Sequence, residues 1–322
     1  MEKVLIKQKK SFTYGFKRRL ASSRFLIMMI IPAVIFYAVF NYIPMYGILI
    51  AFTEYSPTQG IIGSISNRWI GWENFDFIFK YPNFWPAFKN TIIIGSVKIV
   101  ISFVSAVLVA LLINELRMRF FKKFVQITVT FPHFLSWVVV ASLFLMMFGQ
   151  TSGISKLIEQ ATGQGLRFYG NGKWFLSLIF SADVWKEAGW SSIIYIATMA
   201  GISTDLYEAA NIDGATRLQK IWHVTLPGIK ATAVLLLIMS VGGVLSAGFE
   251  QIYNMTSRFN NFLVVDSVEI IDTLIYQGTL GQFDGLSKGE SAAIGLFKSL
   301  IGFALVIVTD RIAKLCGERG II

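Results

Sequence analysis

Six runs of apolar residues, each long enough to cross a hydrocarbon layer, set what this chain can become: Phe25 to Phe52, Thr91 to Ile113, Phe124 to Phe148, Ala182 to Ile202, Ala231 to Tyr253 and Ala292 to Ala313. A layer of about 30 Å takes roughly 20 helical residues at 1.5 Å each. Unpaired backbone N–H and C=O groups are not tolerated there, so each run must close its hydrogen bonds within itself as a helix. The expected fold is all-α and polytopic, with about six transmembrane helices. Composition agrees, since 54% hydrophobic and 15% charged residues with a mean hydropathy of +0.61 lie outside the soluble range. Pro32 and Pro44 fall in the first run, where neighbours can satisfy the freed carbonyls, and a kink is expected. That run exceeds a signal-peptide core and no small-residue cleavage site follows it, so it is expected to be a permanent helix.

The formal charge of +10 reads as topology rather than as a nucleic-acid surface. With the N-terminus inside, eighteen basic residues fall in cytoplasmic segments, eight of them before Phe25, against eight in the outside loops. This asymmetry places both termini in the cytoplasm of a multi-pass plasma-membrane protein. Residues 1–24 form a basic arm expected to anchor orientation and attract anionic lipid. The lone cysteine, Cys316, permits no disulfide or cysteine metal site within the chain.

Outside loop one, Thr53 to Asn90, carries Trp69, Trp72, Phe75, Phe77, Phe79 and Trp85, which suits either an interfacial belt or a sugar-stacking surface. Outside loop two contains SGISKLIEQATG and loop three contains VDSVEIIDTLIYQG, both amphipathic helix candidates. Nothing marks a repeat or a low-complexity linker, so residues 25–322 read as one transmembrane domain.

The loop 203–230, on the predicted cytoplasmic side, is too structured for a connector. Asp205 with Glu208 three residues on has capping-box spacing, giving a helix from Leu206 to Ile212. Asp213-Gly214 signals a turn. A second helix runs from Ala215 to about His223, and Leu226-Pro227 is expected to stop it. Small residues at Ala209, Ala210, Gly214 and Ala215 leave a shallow face suited to close approach by another protein.

At these residues the chain resembles the EAA motif of permease subunits of bacterial binding-protein-dependent ABC importers. Glu208, Ala209 and Ala210, then Gly214, Val224, Leu226 and Pro227, stand at the motif's spacing, and Asp213-Gly214-Ala215 matches its sugar-importer version. Val224 stands where the family usually has Ile, and Ile221 where Phe is common. IGWENF (70–75), NTIIIG (90–95) and DVWKEAGW (183–190) look like carbohydrate permeases, while GFEQIYNM (248–255), EIIDTLIY (269–276) and SAAIGLFKSLIG (291–302) resemble the branch handling complex polysaccharide fragments. The resemblance implies a type I permease fold, a coupling helix docked in a separate ATPase, and partners: a second and different permease, two ABC ATPases and an extracytoplasmic solute-binding protein. ATP and Mg would be used by the ATPase alone. Carried over, Glu208 is the charged contact or cap, Gly214 the turn and Pro227 the exit to the fifth span.

Charges near the spans are few: Lys98, Asp183, Lys186, Glu187, Glu250 and Lys298. Each costs about 2.5 to 3.5 kcal/mol at a bilayer centre, and counting along the spans places all six in the outer half. Asp183, Lys186, Glu187, Glu250, Gln251, Tyr253 and Asn254 are the candidate translocation path, since hydroxyl-bonding groups beside an aromatic ring suit carbohydrate. His133 and His223 stand apart from acids and cysteines and read as structural. No phosphate-binding lysine loop or zinc-protease motif occurs, so neither catalysis nor a resident metal or cofactor is expected. The rival readings are an importer permease for a non-sugar solute, a proton-coupled secondary transporter, which needs an ionisable relay at the midplane, and a lipid-linked sugar transferase, which needs clustered acids at a membrane face.

Overall fold

The computed structural model describes residues 23–149, 152–163, 167–281 and 286–315. Most of the basic arm and Cys316 lie outside the described residues. The chain divides into two units, Met1–Asn74 and Phe75–Ile322.

In the first unit α1 (Arg24–Tyr37) holds Pro32 in its interior. A π turn over Ala38–Tyr42 and a 3₁₀ segment over Ile43–Phe52 continue it. The Ile43 N–H reaches five residues back to the Ala38 carbonyl just before Pro44, which has no N–H to give. The two prolines thus alter the winding of the helix without ending it. Thr53 then pairs with Trp69 in an antiparallel bridge that closes a loop around α2 (Gly60–Asn67). Glu54 and Arg68 are ion-paired at 3.1 Å, the Asn74 amide donates to the carbonyls of Ala51 and Thr53, and Phe52 stacks on Trp69 with Trp72 against its edge.

The boundary between the units falls within α3 (Glu73–Lys80). The second unit continues with α4 (Phe84–Asn114), α5 (Arg119–Thr130), α6 (Trp137–Phe148), α7 (Gly153–Thr162), α8 (Gly172–Ala200), α9 (Thr204–Ile212), α10 (Arg217–Lys220), α11 (Leu226–Gly242), α12 (Phe249–Met255), α13 (Val265–Val268), α14 (Ile271–Thr279) and α15 (Lys288–Leu315). Five segments are long and apolar enough to cross a membrane: Arg24–Phe52, Phe84–Asn114, Trp137–Ala161 counted across 150 and 151, Arg217–Gly242 and Lys288–Leu315. The remaining expected span, α8, has 29 residues and ample length but carries Asp183, Lys186 and Glu187 in its middle.

The structure corrects several boundaries. α4 begins at Phe84 and α8 at Gly172, the latter started by Asn171, whose side chain accepts from the N–H groups of Lys173 and Trp174. Lys98, Lys186 and Glu187 therefore stand near the middles of their helices. The third run is not one helix, because Pro132 opens a 3₁₀ turn at Phe131–Phe134 and Ser136 recaps α6 by accepting the Val139 N–H. The fifth stops at Gly242, so Glu250 to Tyr253 belong to the separate helix α12. The loop-two helix is present as α7, capped by Ser152. The loop-three candidate breaks at Glu269 into α13 and α14, and Glu269 is buried rather than on a polar face.

α4 and α8 pack along one another as the central pair of this unit. Two apolar clusters surround them. One joins Ile94, Phe144, Phe175, Ile179, Ile252 and Val268 at the end bearing α12 and α13. The other joins Ala106, Ala110, Tyr195, Met199 and Ile229 toward the end bearing α9. α8 meets α5 backbone to backbone, since a Cβ on Gly189 would lie 1.9 Å from the Val129 carbonyl oxygen. Replacing Gly189 with Val is expected to destabilise the fold by about 3 kcal/mol or more, because backbone cannot yield as a side-chain tip can. The loss should appear as a lowered thermal midpoint of the purified protein in detergent, and an unchanged midpoint would contradict this packing.

Candidate functional site

The loop after α8 folds into a compact knuckle. Ser203, not Asp205, caps α9, accepting the Asp205 N–H through its hydroxyl; Asp205 sits in the first turn, where its charge suits the helix dipole. Asp213 closes α9 and Gly214 turns the chain at φ +72°, a conformation glycine adopts without steric cost. Thr216 then starts α10 with a capping box to Gln219. Two ties cross the bend: Lys220 Nζ donates to Asn211 Oδ1 at 2.6 Å, and the Tyr207 and Thr225 hydroxyls are 3.0 Å apart.

Leu226-Pro227 does not stop this second helix. A π turn at Ile221–Thr225 leads straight into α11 with Pro227 in its first turn, where a missing N–H is harmless. Glu208, Ala209, Asp213 and Gly214 are exposed, Ala210, Ala215 and Leu226 half-buried. Glu208 makes no ion pair or hydrogen bond through its side chain among the described residues. Beyond the expected small residues, the knuckle presents Leu206, Ile212, Leu218 and Trp222 to the outside, with Ile212 88% exposed. Sequence reasoning passed over these four because each also fits an amphipathic helix core.

Within the second unit the charged residues near the middles of α4 and α8 are paired. Lys98 of α4 meets Asp183 of α8 at 3.3 Å, and both side chains are nearly buried. Ser102 donates to the same carboxylate at 3.1 Å. Lys98 also donates to Gln251 of α12, whose amide donates to the Ile179 carbonyl at 2.6 Å. One residue cluster therefore fastens α12 to α4 and α8. A second cluster holds the break between α5 and α6: Lys186 donates to the His133 carbonyl that the break frees, at 2.6 Å, and pairs with Glu187 at 3.2 Å. Glu187 is hydrogen-bonded to His133 Nδ1 at 2.7 Å, and the His133 ring stacks on Trp190 with centroids 4.3 Å apart. Lys298 is paired with Asp272 at 2.5 Å.

Beside these ties lies a cavity of about 380 Å³ between α4, α8 and α11. Ser102, Phe103, Trp190, Ser191, Tyr195 and Ser240 line it, together with aliphatic side chains and without any charged residue. Of the expected path residues, Asp183 borders it through Ser102, while Lys186 and Gln251 are buried as ties. Glu250, Tyr253 and Asn254 stand apart on α12, where Tyr253 stacks on Phe249 and Asn254 donates to the Glu250 carbonyl. No group of three or more metal-ligating side chains occurs among the described residues.

A multi-pass helical membrane protein with a self-contained knuckle between its fourth and fifth spans and a neutral, hydroxyl-lined cavity between spans is a membrane transport component. Residues 98–319 match the model of the family described as "Binding-protein-dependent transport system inner membrane component", and the chain belongs to that family. It is 41% identical to the polygalacturonan/rhamnogalacturonan transport system permease protein YteP of Bacillus subtilis and 36% identical to protein LplB of the same organism, over 94% of this chain and 92% of each relative. It superposes with a TM-score of 0.81 at 30% identity on a chain from the crystal structure of a bacterial ABC transporter involved in import of the acidic polysaccharide alginate, over 92% of this chain and 97% of that one. A second structure of the alginate transporter, in complex with an alginate pentasaccharide-bound periplasmic protein, gives 0.83 at 29% identity over 94% and 99%.

Two outcomes follow from these geometries. Asp183→Asn is expected to destabilise the protein by about 3 to 5 kcal/mol by leaving Lys98 buried without its counter-charge, whereas Lys98→Met with Asp183→Leu should regain most of that loss; thermal unfolding of both variants checks it. At Glu269, burial first and the neighbouring Asp266 second push the carboxyl up to about 7 from 4.5. Its contribution is therefore fully present below pH 4.5 and lost as pH rises through 7. Amide exchange over α13 and α14, corrected for intrinsic rates, should quicken over that window in the wild type and stay flat in Glu269→Gln.

Proposed function

We propose that this chain is the transmembrane subunit of an ATP-driven importer that carries a fragment of an acidic polysaccharide into the cytoplasm, and that the knuckle couples it to a separate ATPase. The observation that carries the reading is the knuckle itself. An apolar ridge of Leu206, Ile212, Leu218 and Trp222 stands exposed on a cross-tied bend beside an unpartnered Glu208. Exposed aromatic and aliphatic anchors around a charge are the composition of a protein contact. In this reading the knuckle faces the cytoplasm, as do both termini, in line with the excess of basic residues there. The chain itself hydrolyses nothing and binds no cofactor. ATP and Mg serve two ATPase subunits, a second permease of similar fold completes the pathway, and an extracytoplasmic binding protein delivers the solute.

Alternating access follows from differential contact. Closure of the ATPase dimer displaces the knuckles, and the spans they carry exchange an inward for an outward opening. The neutral cavity suits carbohydrate, because Trp190 and Tyr195 offer faces to sugar C–H surfaces while Ser102, Ser191 and Ser240 offer hydroxyl partners. Asp183, Lys186, Glu187 and Gln251 act as ties behind the path, and Glu250, Tyr253 and Asn254 meet solute at its outer end. The choice of an acidic polysaccharide rests on the relatives, named for polygalacturonan and alginate. A secondary transporter is disfavoured because the ionisable groups within the spans are held in protein ion pairs.

The test is uptake of labelled oligogalacturonate into proteoliposomes holding the reconstituted complex. Transport should require ATP and the binding protein. Ile212→Asp should weaken co-purification with the ATPase by roughly 2 kcal/mol, about 30-fold, and depress uptake in parallel. Uptake driven by a proton gradient without ATP would overturn the proposal.

A further inference from the structure

Beyond α12 the chain enters a turn that is costly for side-chain-bearing residues. Ser257, Arg258 and Phe259 all have positive φ, at 54°, 58° and 66°. The left-handed region crowds Cβ against the backbone, so three successive non-glycine residues there must be held by their surroundings. The holding bonds are present. The Arg258 N–H donates to the Tyr253 carbonyl at 2.8 Å, the Asn261 N–H to the Thr256 carbonyl at 3.1 Å, and the Phe259 N–H to the buried Thr256 hydroxyl at 3.2 Å. Asn261 in turn donates to the Tyr169 carbonyl at 2.9 Å. A chain needing only to reverse direction could use glycine; this one keeps three side chains in the turn.

The turn carries an exposed cation, Arg258, next in the chain to the aromatic Phe259. Arg258 makes no ion pair among the described residues. With Asn254, Ser257 and Ser142 it lines a cavity of about 250 Å³ between α6 and the end of α12. Its neighbours Tyr253 and Phe259 belong to a half-exposed cluster completed by Phe249 and Tyr276, with centroids 5.0 to 6.3 Å apart. The Tyr276 hydroxyl is pushed up chiefly by its hydrogen bond to Tyr253, and the Arg258 charge works against that rise. Glu250 is the one carboxylate on α12 and is exposed. It can accept from sugar hydroxyls, and its repulsion of an acid is a cost that Arg258 offsets.

We infer that Arg258, with the Phe249, Tyr253, Phe259 and Tyr276 rings and Asn254, forms a site for an acidic sugar residue. The guanidinium fork takes the carboxylate in paired hydrogen bonds. The rings take the apolar face of the pyranose, and Asn254 takes a hydroxyl. The site lies at the end of the unit opposite the knuckle, so under the transport reading above, on which it rests, it meets the solute at the outer mouth before the neutral cavity does.

The experiment compares trigalacturonate with its methyl ester, which keeps ring and hydroxyls but removes the charge. The reconstituted complex in nanodiscs is assayed for binding by ligand-observed NMR, and in proteoliposomes for ATP-driven uptake. Arg258→Gln should weaken binding and uptake of the acid by at least about tenfold and leave the ester within about twofold, with Arg258→Lys in between. Equal losses for acid and ester would overturn the site, assigning Arg258 to the docked binding protein or to the turn itself, and unchanged binding of the acid would overturn it as well. Should the wild-type complex bind the acid yet show no ATP-driven uptake, the transport reading fails while the site stands.

Discussion

Hydrocarbon offers no water to a stray carbonyl or charge, and the second unit is arranged around meeting that condition. Lys98 with Asp183, Ser102 and Gln251, and Lys186 with Glu187 and the His133 carbonyl, each answer a charge or an orphaned backbone group with a protein partner. The first cluster fixes α12 against α4 and α8. The second lets α5 and α6 break at Pro132 without leaving the His133 carbonyl unsatisfied. Because each cluster draws on α8, that helix carries more charge than its neighbours and falls short of the apolarity expected of a span, although it sits at the centre of the unit.

The same condition separates binding from scaffolding. Polar groups that hold helices together are occupied and hard to recruit for a solute. Groups at the cavity between α4, α8 and α11 are neutral hydroxyls and ring edges whose interactions are individually weak. Under the proposed transport reading, a pathway built this way holds a sugar without trapping it, while the ion pairs keep the helices in register.

How much of this was legible in the sequence differed by element. The spans were, because apolar length alone demands a helix, and so was the knuckle, where Asp213-Gly214 marks a turn by backbone sterics. Boundaries were not: α4 and α8 run well past the hydrocarbon-length stretch, since the Asn171 cap and the aromatic residues of Phe84–Asn90 support helix outside it. Pro227 was misread because the residue before a proline disfavours the α region on average, whereas Leu226 adopts it, at φ −62° and ψ −45°, and Pro227 falls in the first turn of α11, where its missing N–H is harmless. Glu269 fell inside a segment that read as one amphipathic helix, yet α13 and α14 break there and bury it. The pairing of Lys98 with Asp183, and the meeting of Ser102, Trp190 and Ser240 around one cavity, join helices far apart in the chain and leave no local pattern to read.

The unbroken helical path from Arg217 to Gly242 has a mechanical meaning. Had Pro227 ended the first segment, a hinge would separate the bend from the span and absorb any displacement as local flexing. As a single rod of 26 residues, it spans roughly 39 Å, so a tilt of about 10° at one end swings the other by about 7 Å. Under the proposed coupling role, this rod acts as a lever that turns a small tilt at the bend into a wide excursion at its far end.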